Sequence, residues 1–99
     1  MTRELIAVET GRVSSRLESL PLTKMNDDVI THVRAAALRI VAMTPDPERP
    51  EDVDLPPAGP TALAAQLSVV VRDYLNMRTA ASQDAAVAEV LSDLRRSLP

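Results

Sequence analysis

The sequence predicts an all-α protein: a four-helix arrangement of two antiparallel helical hairpins joined by a long Pro-rich, acidic crossover. Three observations predict it. Four segments place apolar residues at spacings of three and four, and no segment shows the sustained alternation of a strand. Six of the eight prolines fall in the stretch TPDPERPEDVDLPPAGP, Thr44 to Pro60, together with five acidic residues and one arginine. The connections between the first and second and between the third and fourth segments are short, which is how antiparallel helix pairs are joined.

The first helix is expected over residues 3–20, where Ile6, Thr10, Val13, Leu17 and Leu20 share one arc. Gly11 lies opposite that arc and weakens the helix by about 1 kcal/mol relative to Ala. Pro21 ends it. The second helix, 25–43, has Thr23 or Asn26 as its cap, with Asp27 and Asp28 in the first turn where the helix dipole favours negative charge. Val29, Ile30, Val33, Ala36, Ala37, Ile40 and Val41 form a stripe wide enough for a central helix with two neighbours.

The third helix, 61–78, starts at Pro60 and Thr61 and carries Leu63, Leu67, Val70, Val71, Tyr74 and Met77. In the fourth, 83–97, Ser82 is the cap, Asp84 sits in the first turn, and Val87, Val90, Leu91, Leu94 and Leu98 form the stripe. Arg95 and Arg96 suit its last turn. Leu67, Val70, Tyr74, Leu91 and Leu94 are the expected centres of the core. The chain reads as a single helical domain, 1–99, with hairpins at 1–43 and 61–99 and a connection at 44–60. A helix of about 17 residues is roughly 26 Å long, and Pro-rich chain extends about 3.1 Å per residue. Residues 44–60 can therefore run the length of a helix as a solvated crossover; an acidic docking segment is the alternative.

Composition bounds the function. Apolar residues make up 45% of the chain, yet Phe and Trp are absent and Tyr74 is the sole aromatic. An aromatic side chain buries about 150–250 Å², so a core of Leu, Val, Ile, Ala and Met alone is thin and favours a second copy or a partner. With no cysteine, no disulfide framework or oxidising compartment is implied, and cytoplasmic is the default location. The start lacks a sustained apolar run, so no signal peptide is expected, and no stretch reaches the twenty apolar residues of a membrane span.

Catalytic templates find no footing. His32 is the only histidine, with Asp28 one turn before it, a spacing that can orient an imidazole but more often makes a solvated pair. Without cysteine or a second histidine no zinc signature exists, and no serine sits in a nucleophile elbow; Ser14 and Ser15 read as polar helix positions. Gly11 and Gly59 are the only glycines, too few for a phosphate cradle. The expectation is no enzyme, no cofactor and no metal.

Binding is the remaining class. Outside residues 44–60 the chain has ten basic and nine acidic residues, a nearly neutral body. Arg12 and Arg16, one turn apart on the first helix, and Arg34 and Arg39, on the outer side of the second, are the candidate nucleic-acid contacts, weighed against ordinary solvated faces. Leu38 and Leu75 fall opposite their core stripes and are the candidate subunit interface.

The Ala-rich THVRAAALRIVA, the Pro/Asp-rich break, PTALAAQLSVVVRDYL and the terminal LSDLRRSLP together resemble the short helical terminase small subunits of actinobacterial phages. Arginine supplies ten of the eleven basic residues and alanine fourteen positions, a bias associated with GC-rich bacteria and their phages. The resemblance implies a non-catalytic packaging protein that forms a homo-oligomer, recognises duplex DNA and regulates an ATP-driven large subunit. The competing expectation is a small bacterial interaction or regulatory module, an adaptor or antitoxin-like protein with a protein partner.

Overall fold

Four α-helices follow one another: α1 (Thr2–Ser19), α2 (Asp27–Met43), α3 (Leu63–Leu75) and α4 (Ala81–Ser97). The computed structural model describes residues 2–45, 55, 56, 59 and 62–99, and no strand occurs among them. The protein is all-α, as the periodicity requires. Most of the Pro-rich crossover, and the helix start expected at Pro60 and Thr61, lie outside the described residues.

Each helix forms where its stripe demands burial. Ile6, Thr10, Val13 and Leu17 of α1 are buried, as are Val29, Val33, Ala36, Ala37 and Ile40 of α2. So are Leu63, Leu67, Val70, Val71 and Tyr74 of α3, and Val87, Val90, Leu91, Leu94 and Leu98 around α4. These side chains form one continuous core. Asn26 caps α2 by accepting from the Val29 amide at 3.1 Å, and Asp27 and Asp28 occupy the first turn.

Two helix ends differ from expectation. Helix α3 stops at Leu75 rather than 78, and the Arg3 guanidinium of α1 donates to the carbonyls of Leu75 and Met77 at that end. Helix α4 begins at Ala81 behind Ala80, which has no side-chain acceptor; Ser82 is exposed within the first turn and does not cap.

The pairing of helices also differs. α1 packs against α4 and α3, and α2 packs against α3 and α4. α1 and α2, and likewise α3 and α4, make no close contact although short connections join them, whereas α2 and α3, joined by the long connection, do pack. Nor is α2 central, since every helix touches two others.

Each of the four packed pairs also has a polar tie. The Glu9 carboxylate of α1 accepts from Arg95 of α4 at 2.7 Å. Gln83 of α4 donates to the Met43 carbonyl at the end of α2. Arg34 of α2 donates to the carbonyls of Leu55 and Pro56, at 2.9 and 3.0 Å, while Gln66 of α3 donates to the same Pro56 carbonyl at 2.9 Å. Arg3 joins α1 to the end of α3. Cations and amides on helix C-terminal carbonyls satisfy groups that the helix itself leaves open.

Leu67 and Leu91 have no exposed surface. Truncating either to Ala should cost about 2–5 kcal/mol, out of a total of about 5–15 kcal/mol for a domain. Urea denaturation of Leu67→Ala and Leu91→Ala checks this; midpoints equal to the parent's would place both outside the core.

Candidate functional site

Two polar clusters and one groove stand out from the core. In the first cluster Glu9, 3% exposed, lies between Arg95 and Arg12, at 2.7 and 3.0 Å. The hydrogen bond from Arg95 holds the Glu9 carboxyl below the usual carboxylate range against the upward push of burial, and Arg12 adds to the lowering.

The second cluster gathers the start of α1, the end of α3 and the start of α4. Asp84 Oδ1 accepts from the Tyr74 hydroxyl at 2.6 Å, from the Thr79 hydroxyl, and from Arg3 at 3.3 Å. The Arg3 guanidinium also lies over the Tyr74 ring, 5.9 Å from its centre. The hydrogen bonds from Thr79 and then Tyr74 hold the Asp84 carboxyl low. Burial, followed by the bond to Asp84, pushes the Tyr74 phenol up.

These groups are chemically committed to one another. Tyr74 has no exposed surface and Asp84 is 5% exposed. No group of three or more potential metal ligands occurs among the described residues. His32 and Asp28 are both exposed. Ser15 is exposed too, while Ser14 is half-buried with its hydroxyl unpartnered among the described residues.

The groove lies where the end of α2 meets α3 and the returning chain. It has a volume of about 670 Å³ and apolar walls that include Val41, Leu55, Val69, Val70 and Met77. Val69 is 50% and Met77 38% exposed. Asp73 on the rim makes no hydrogen bond or ion pair among the described residues.

The candidate DNA contacts do not converge. Arg12 is paired to Glu9, Arg16 donates to the Pro99 carbonyl at 2.7 Å, and Arg34 is engaged with Leu55 and Pro56. Arg39 is exposed. The first pair lies on α1 and the second on α2, which do not pack together. The candidate interface leucines are both half-buried, and Leu75 packs against the core instead of facing outward. Among the described residues the exposed large apolar positions are others: Leu5, Val8 and Leu22 besides Val69 and Met77.

No protein-family model, curated protein or solved structure matches the chain. No helix among the described residues is long and apolar enough to cross a membrane.

Proposed function

We propose that the protein is a non-catalytic interaction module whose α2–α3 groove receives an apolar segment of a partner protein bearing a basic residue. The observation that carries this reading is the groove itself: apolar walls with half-exposed Val69 and Met77, and a free carboxylate, Asp73, at the rim. Apolar walls supply the driving force through area removed from water, and a single charge at the edge sets orientation more than affinity.

Selection from a displayed library of random peptides tests it. Enriched peptides should combine large apolar residues with Lys or Arg, and Val69→Glu should weaken them at least about tenfold, or 1.4 kcal/mol. As an exposed substitution, Val69→Glu should shift stability by no more than about 0.5 kcal/mol. Absence of enrichment, or peptides that bind Val69→Glu equally well, removes the groove reading.

The packaging reading rests on the sequence resemblance and needs Arg12, Arg16, Arg34 and Arg39 to reach phosphates from several subunits. Its test is a duplex DNA titration at two salt concentrations, with log affinity falling steeply against log salt.

A further inference from the structure

Gly11 has no counterpart in the packing of its own chain. It lies inside α1 and is exposed, its φ is not positive, and a Cβ added there would meet nothing within 4 Å. A glycine inside a helix costs about 1 kcal/mol relative to alanine, and no contact within the molecule offsets that.

The outer face of α1 around it is uneven in shape and in charge. In its N-terminal half Leu5 and Val8 stand out, 43% and 48% exposed. In its C-terminal half Gly11, Ser15 and Ser19 border a shallow groove with Arg12 and Arg16. Glu4, exposed at the N-terminal end, has no hydrogen bond or ion pair among the described residues. Bumps and an acid therefore share one half of the helix, and a notch shares the other with exposed Glu18 and two bases, Arg12 bonded to Glu9 and Arg16 to the Pro99 carbonyl.

We propose that α1 is a self-association surface, on which a second copy of this chain lays its own α1 antiparallel across a two-fold axis. A two-fold interface must be complementary to itself, and this face is. With the axis midway between Val8 and Gly11, each Val8 enters the gap over the second copy's Gly11. Leu5 comes level with the second copy's Ser14, beside its Ser15. Each Glu4 falls between the second copy's Arg12 and Arg16, while a parallel arrangement would set Glu4 on Glu4 and arginine on arginine. Only glycine leaves room for so close an approach. One helix face is smaller than the roughly 800 Å² per partner of a standard complex, so the dimer is weak and forms at high concentration. It uses none of the residues of the α2–α3 groove, and either surface can fail without the other.

Sedimentation equilibrium over a wide concentration range, with thermal unfolding at low concentration, tests the proposal. Gly11→Gln fills the notch with a better helix former. It should raise the unfolding midpoint of the monomer and lower the association constant at least about tenfold. Glu4→Arg and Arg16→Glu should each weaken association about threefold, and the two combined in one chain should restore it. A monomer at every concentration overturns the proposal. So does a dimer whose constant Gly11→Gln leaves unchanged, or one that the combined charge exchange fails to restore.

Discussion

Tyr74→Ala should lower the unfolding free energy by about 3–5 kcal/mol, the range for deleting a buried aromatic, a large share of the about 5–15 kcal/mol of a domain. Tyr74 is the only aromatic and has no exposed surface, so its removal empties the largest single volume in a core otherwise filled by aliphatic side chains. It also removes a donor to Asp84, which sits buried at the start of α4. Tyr74→Phe separates the two losses. It keeps the ring and deletes only the hydroxyl, and should cost about 1–3 kcal/mol, the penalty for weakening the satisfaction of a buried charged acceptor. Chemical denaturation of both variants checks the order; Phe costing as much as Ala would mean that the polar cluster, not the ring, dominates.

The second large effect belongs to Glu9. Arg95→Ala strands a carboxylate that is 3% exposed and should cost about 3 kcal/mol, the low end for breaking a buried pair because Arg12 remains. Arg12→Ala should cost about 0.2–1 kcal/mol, since its side chain is 57% exposed and its pairing is screened by water. The difference should depend on pH. Glu9 and Asp84 are both held below their unfolded values, so their contributions are complete above the unfolded carboxylate range near pH 4, about 3.9–4.3. They are lost as pH falls through the lower folded values. Tyr74 is pushed up, so its contribution holds below the unfolded phenol value of about 10 and is lost as pH rises above it. Urea denaturation from pH 3 to 8 should show a plateau around neutrality, a decline below about pH 4, and an Arg95→Ala deficit that shrinks on that decline. A deficit constant with pH would show that Arg95 acts through packing alone.

Much of this fold is legible in the sequence because helical periodicity reports which face of a segment is buried. The stripes of Ile6, Val13 and Leu17, or of Val87, Leu91 and Leu94, name their core residues correctly. Periodicity does not report what the buried face meets. α1 and α4 are joined through Glu9 and Arg95, 86 positions apart, and nothing local in either helix encodes that choice. Glu9 borders the buried arc of Ile6 and Val13, and an acid at that border needs a cation from another element. Asp84 reads as a helix-dipole residue, and its second role follows from Tyr74: a phenol in a core stripe requires an acceptor for its hydroxyl. The groove was not foreseeable from α3 alone, since Val69 and Met77 belong to its walls only once α2 and Leu55 are set beside it. Leu75 misleads for the reverse reason, lying off its own stripe yet packed against the core.

The absence of packing between α1 and α2, and between α3 and α4, has a kinetic consequence. In most small helical proteins each helix finds the next one along the chain, contact order is low, and folding takes microseconds to milliseconds. Here the contacts of α1 are with α3 and α4, and those of α2 with α3 and α4, so every helix–helix contact must close a loop that includes at least one whole helix or the 44–60 connection. Loop-closure entropy is lost before the apolar contacts form. The α1–α4 contact, between the two ends of the chain, should therefore form slowly, and the first contacts open to a growing chain are those of α3 with α2 and α1.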